Sequence, residues 1–172
     1  MTRNWLPPLV LLQDSGGDWD RYVEVLYSWF AKDFLKSKPA WPEKRVQLKR
    51  YPLSLGKEAT FWHMVSTGDN EEDRIPDLRR CERIRWPRRF MEAFPGRKPE
   101  AADAIVWWKT ERRGEARFLL ALPDFSYLAV IADRGEYVLP WTHFLIEQPH
   151  RQHKLRKEYA AYWAANKSGA AP

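Results

Sequence analysis

The sequence predicts an α+β fold: an N-terminal helix and hairpin, then a four-stranded antiparallel sheet with a C-terminal helix. Apolar residues recur at helical spacing early in the chain, at Trp19, Tyr22, Val23, Leu26, Phe30 and Phe34. In the C-terminal half the period changes to that of strands, in AIVWWKT (104–110), ARFLLAL (116–122), FSYLAVIA (125–132) and EYVLPWTHFLI (136–146). The breaks between these runs are short, at Arg113-Gly114, Pro123-Asp124 and Asp133-Arg134-Gly135, which implies an antiparallel meander.

Each element has a local reason. Asp14-Ser-Gly-Gly-Asp18 is a turn, and Asp18 is a good N-cap for the first helix. That helix should end near Lys36, because Ser37-Lys38-Pro39 and Pro42 follow. RVQLKRYP (45–52) and residues 58–66 read as two strands of a hairpin around Leu53-Ser-Leu-Gly56. Pro52 cannot donate to a ladder and belongs at a strand end or edge. Residues 67–77 are polar and acidic and read as a loop. Asp77 caps a helical stretch over 77–94 that Pro87 ends or kinks. Pro95-Gly96 and Pro99 mark the next loop. Of the four later strands, the third is apolar on both faces and should be central, and Pro140 gives the fourth an edge or a bulge. From Pro149 to about Ala165 the pattern is helical. There is no internal repeat, so the expectation is one domain over 1–172, with flexible ends at about 1–14 and 166–172.

Composition bounds the function. The chain has 172 residues, 44% hydrophobic and 30% charged, which is the composition of a folded domain. Its net charge of +6 favours polyanionic partners: RNA, DNA or an acidic protein. Many of the 10 tryptophans must pack in a core, which leaves some available for stacking. Cys81 is the only cysteine, which excludes an internal disulfide and a cysteine-rich zinc site. The apolar run Leu6–Leu12 is too short to span a bilayer and lacks a small-residue cleavage site, so a cytoplasmic protein without a membrane partner is expected.

Phosphate-binding Gly-rich loops, dinucleotide fingerprints, G-x-S-x-G and H-E-x-x-H are all absent. His150 and His153 share a helix face but have no third ligand, so no metal or other cofactor is expected. What remains is histidine, cations and hydroxyls. In the expected hairpin His63 falls opposite Gln47, with Lys49 and Arg45 as diagonal neighbours and Lys57 too far away. That set suits metal-free RNA cleavage by the adjacent 2′-hydroxyl: a histidine to move the proton, and cations to hold the phosphate as charge builds. The plainer reading of His63 is a half-buried strand histidine with one hydrogen bond.

Arg79, Arg80 and Arg83 share one helix face, which Trp86 joins if the helix persists. They suit a phosphate backbone with a base stacked on the indole; equally, they suit a salt-bridged surface answering the acidic loop 69–73. The two combine if the acidic loop occupies the basic surface until RNA displaces it. On the last strand Thr142 and His143 point to opposite faces, and Thr142 is expected opposite Ser126. Lys154 belongs to a second basic patch on the final helix.

The stretches KRYPLSLGKEATFWHMVS, RIPDLRRCERIRWPRRF, ALPDFSYLAVIADRGEYVLPWTHF and HRQHKLRKEY cover somewhat less than half the chain. They resemble phage- and prophage-associated proteins placed in the barnase–EndoU–colicin–RelE group of metal-independent ribonucleases. The resemblance implies a toxin-like endoribonuclease acting on RNA without a cofactor, with an acidic antitoxin or immunity protein as a possible partner. It implies a site of His63, Lys49 or Arg83, and Thr142; the leading expectation takes both cations, with Arg79, Arg80, Trp86 and Lys154 of the two basic patches binding RNA. Two rivals stand beside it. One is a non-catalytic nucleic-acid binder, the other an interaction protein with an acidic partner. A nuclease requires His63, a cation and Thr142 to converge on one pocket; a binder needs only an open basic surface.

Overall fold

The computed structural model describes residues 3–167. The fold is α+β. A five-stranded mixed sheet has the order β1-β7-β6-β5-β4, with β1 Arg45–Val46, β4 Val106–Arg112, β5 Glu115–Ala121, β6 Tyr127–Asp133 and β7 Tyr137–Leu145. The four later strands form the expected antiparallel meander, and β6 is the central strand of the five. The short β1 adds a parallel edge on β7, pairing Arg45 with Tyr137 and Val46 with Val138.

Helix α1, Trp19–Phe30, is capped by the Asp18 carboxylate, which accepts from the Arg21 N–H at 3.1 Å. A π-helical turn at Ala31–Leu35 carries it to the expected end. Tyr22, Leu26, Phe30 and Phe34 are all fully buried. Each such side chain contributes roughly 1.5–3 kcal/mol, against about 1 kcal/mol for the cap, so packing holds this helix. Trp19 departs from the stripe and lies at the surface.

The expected first hairpin is not formed. Its turn exists: Ser54 and Lys57 exchange backbone hydrogen bonds, with Leu55 and Gly56 in left-handed conformations at φ 50° and 72°. The second half, however, is helix α2, Ala59–Val65. The first half is a strand only at Arg45–Val46. The carbonyls of Lys49 and Arg50 accept from the amides of Thr60 and Ala59 at the start of α2. The buried Thr60 hydroxyl fixes the junction, accepting from the Lys49 N–H at 2.8 Å and donating to its carbonyl at 3.1 Å. Six of the seven α2 residues are buried, so the segment shows no amphipathic period. A short apolar run of this kind does not distinguish strand from helix.

The polar loop is bounded by a two-stranded ribbon, β2 Ser66–Thr67 with β3 Ile75–Pro76. The 77–94 stretch forms two helices, α3 Leu78–Glu82 and α4 Trp86–Ala93. The break precedes Pro87, which occupies the first turn of α4, where its missing N–H costs nothing. Helix α5 spans Pro149–Ala165.

One sheet face carries Trp107, Phe118, Leu120, Tyr127, Ala129, Ile131 and Val138 into the main core with α1, α2 and α4. On the other face, Leu155, Tyr159 and Tyr162 of α5 pack on Trp108, Leu128, Phe125 and Ile146. The N-terminal segment is not a loose end from Arg3 onward. Trp5, Leu6, Val10 and Leu12 pack on the core, and Tyr22 donates to the Val10 carbonyl at 2.6 Å. At the other end Asn166 is bonded to Tyr162, and the expected flexible tail at 168–172 lies outside the described residues.

Candidate active site

Beside α5, the second face of the sheet floors a cleft of about 1460 Å³. Arg117, Val130, Trp141 and Thr142 belong to the floor, His150, Arg151 and Lys154 come from α5, and Lys49, His63, Glu71, Arg74 and Arg80 line the opposite side. Lys49, Arg74, Arg80, Lys109, Arg112, Arg113, Arg117, Arg151 and Lys154 outnumber the acidic Asp69, Glu71, Glu111 and Glu158. A concave surface with that imbalance concentrates anions.

A bulge shapes the floor. Val130 pairs with Thr142 and Ile131 with Pro140, leaving Trp141 as the extra residue. The bulge sends Trp141 and Thr142 to the cleft face together. The partner of Thr142 is therefore Val130, not Ser126. His143 points the other way, into the core, where its Nε2–H donates to the Met64 carbonyl at 2.7 Å and the Tyr127 hydroxyl donates to Nδ1 at 2.9 Å. Burial there lowers its pKa to about 3.

His63 stands in the last turn of α2, with its imidazole Nε2 2.7 Å from Glu71 Oε1. The same carboxylate oxygen accepts from Lys49 Nζ at 3.0 Å. Trp141 meets the imidazole edge-on, with ring centroids 5.0 Å apart. Burial lowers the His63 pKa below its ordinary value, although the Glu71 hydrogen bond works against it. Burial alone would raise the Glu71 carboxyl, but the hydrogen bonds from His63 and Lys49 outweigh that and hold it below the usual range. Near neutral pH the pair is thus a neutral imidazole donating Nε2–H to a carboxylate. Nδ1 forms no hydrogen bond among the described residues.

Arg80 reaches the cleft from α3. One of its terminal nitrogens donates to the Ser66 carbonyl at 2.7 Å and to Thr142 Oγ1 at 3.1 Å. Thr142 Oγ1 in turn donates to the His63 carbonyl at 3.3 Å. Thr142 is therefore a positioning residue, linking β7 to the end of α2 and to Arg80. The buried Arg80 Nε has no hydrogen bond, though Asp77 Oδ2 lies 3.4 Å away. Arg74 pins the base of the acidic loop, donating to the Ser66 hydroxyl and carbonyl and to the Gly68 carbonyl at 2.9, 2.7 and 3.1 Å.

Of the residues singled out in the sequence, His63, Lys49, Thr142, Arg80 and Lys154 line this one cleft. Lys49 arrives by a loop rather than by a hairpin register. Arg83 lies outside the cleft lining; it pairs with Glu82 at 3.2 Å and rests against Trp86. Arg79 pairs with Glu82 at the surface. Trp86 offers no stacking face, because it is buried against Tyr127 and its Nε1–H donates to the Pro7 carbonyl. Arg79 and Arg83 thus stay together on Glu82, while Arg80 alone turns to the cleft.

Glu71, Trp141 and Arg117 were not singled out by sequence. Only the acidic character of 69–73 and the Pro140 bulge signal hinted at the first two. Among the described residues, no group of three His, Cys, Asp or Glu side chains is spaced to hold a metal ion. No described helix is long and apolar enough to cross a membrane. Comparisons with protein-family models, with curated proteins and with solved structures find no match to this chain.

Proposed function

We propose that the protein is a metal-independent endoribonuclease, with His63 as general base. The supporting observation is the convergence of His63, Lys49, Arg80 and Thr142 on one basic cleft. In this reading Glu71 holds Nε2–H and leaves Nδ1 to take the proton of the 2′-hydroxyl, and its charge stabilises the imidazolium that forms. The 2′-oxygen bonds to phosphorus as the bond to the 5′-oxygen breaks; that oxygen leaves as a hydroxyl with a proton from water, and the hydroxide so formed takes the proton from the His63 imidazolium, which restores the base. Lys49 and Arg80 stabilise the charge that grows on the phosphoryl oxygens. Thr142 and Arg74 hold these groups in place. Arg151 and Lys154 engage neighbouring phosphates. Arg83 has no part in this chemistry.

The reading fits a toxin-like or phage-associated nuclease of the barnase–EndoU–colicin–RelE group working in the cytoplasm, where an acidic antitoxin or immunity protein would compete for the same cations. The test is end-group analysis of labelled RNA cut in EDTA. The expected products carry a 2′,3′-cyclic phosphate and a 5′-hydroxyl, and a 2′-deoxy strand stays intact. Cleavage of the deoxy strand overturns the mechanism. One observation favours a second reading, a non-catalytic RNA binder. The His63 side chain is only 8% exposed, so its pair with Glu71 also serves as a structural lock on the loop.

A further inference from the structure

Trp141 also borders a second groove, of about 600 Å³. This groove runs beside the β1–β7 edge and is lined by Arg45, Gln47, Arg134 and Tyr137, with Glu136 as its one acidic group among the described residues; Lys49 and Trp141 are common to it and to the main cleft. Around the Trp141 indole, Lys49, Arg117 and Arg134 place their charges 5.6, 5.6 and 5.8 Å from a ring centroid. Glu115 ties two of these together, forming an ion pair with Arg134 at 3.0 Å and accepting a hydrogen bond from Arg117 at 3.3 Å. Arg117 Nε is buried and has no hydrogen-bond partner among the described residues. Three cations thus gather at the border between two grooves, with the carboxylates of Glu71 and Glu115 to offset them. The indole's π-face tolerates cations that would otherwise repel one another.

We infer that this Trp141 cluster is a second phosphate subsite, over which a single-stranded RNA runs from the His63 cleft into the Arg45–Arg134 groove. The inference rests on the endoribonuclease reading for the direction of the strand, but it makes a separate demand. Affinity must depend on strand length, because only a longer oligonucleotide reaches both grooves. Successive phosphates would meet Arg80 and Lys49 at the catalytic end and Arg134 and Arg45 at the far end, with Tyr137 beside the second groove. Arg45 is exposed and Arg134 is 39% exposed at its side chain, so replacing them leaves the core untouched.

The experiment is fluorescence anisotropy with 2′-O-methyl oligonucleotides of two and eight nucleotides, which bind without being cut. The proteins are wild type, the double variant Arg45→Ala/Arg134→Ala, and Arg89→Ala, which removes an exposed charge that lines neither groove. The double variant should bind the octamer about tenfold more weakly and the dinucleotide as wild type does. Its slope of log affinity against log salt should fall by about 1.4, at roughly 0.7 per lost single-strand phosphate contact. Arg89→Ala should change neither. Octamer affinity left unchanged in the double variant, or lowered equally for both lengths, overturns the subsite. Cleavage is read separately. A wild type that never cuts RNA but shows the length-dependent loss disproves the nuclease and leaves the track standing.

Discussion

His63 and His143 are both withdrawn from solvent, but their partners give them different work. His143 has both ring nitrogens satisfied by core groups, Met64 and Tyr127, and nothing left to exchange. His63 has one nitrogen held by Glu71 at the edge of a cationic cleft. Its lowered pKa has a kinetic consequence. A general base works when deprotonated, so kcat/KM should rise with pH through a midpoint below the ordinary histidine value and then level off. Replacing Glu71 by Gln removes the charge, and weakens the hydrogen bond, that oppose the effect of burial. The plateau should then begin at still lower pH, while kcat falls by about ten- to a hundredfold because the imidazolium loses its counter-charge. A pH–rate profile of both proteins checks this, and a limb that moves upward in the variant contradicts it. For Thr142 the expectation is indirect. Thr142→Val should loosen Arg80 and raise KM for RNA more than it lowers kcat, at about 1 kcal/mol of stability.

At the scale of elements, α2 and the β7 bulge place the site. Helix α2 presents His63, and its first turn binds the backbone that carries Lys49. Thr60→Val leaves the Lys49 N–H and carbonyl without their side-chain partner in a buried position. It should destabilise the protein by about 1–3 kcal/mol and reduce cleavage by displacing Lys49; urea unfolding beside an activity assay measures both. These elements also show what a sequence can carry. The meander was legible because alternation, short turns and Pro140 agree with one another. Helix α1 was legible because its cap and stripe agree. Helix α2 was not, because burial on nearly every side erases the period that separates 3.6 from 2. Lys49 and His63 nevertheless both meet Glu71, since a chain reversal at 53–56 brings its two arms together whether the second is strand or helix. Glu71 was out of reach, because a loop glutamate is positioned only by tertiary contacts such as the Arg74 clamp.

For the whole molecule, the two sheet faces divide stability from chemistry. One face buries the aromatic core with His143 beside it, while the other is shared between α5 and the cleft. The division makes the fold acid-sensitive in a particular window. The folded pKa of His143 is about 3, below its unfolded value near 6.5, so the unfolded chain binds more protons between these limits. That contribution is complete above pH 6.5 and is lost as the pH falls toward 3. Stability should decline by about 1.4 kcal/mol per pH unit for each such histidine. Denaturant titrations at pH 7, 6 and 5 should show this slope in wild type and a shallower one in His143→Gln.

The excess of cations in the cleft and the His63–Glu71 pair within it belong to one proposal, that RNA is bound there and cut by its own 2′-hydroxyl. The direct test is cleavage of end-labelled RNA in EDTA by wild type and by His63→Ala, with circular dichroism to confirm that both are folded. Cleavage by wild type, reduced at least a hundredfold in the variant, is the predicted result. A folded His63→Ala protein that cuts RNA as fast as wild type contradicts the account.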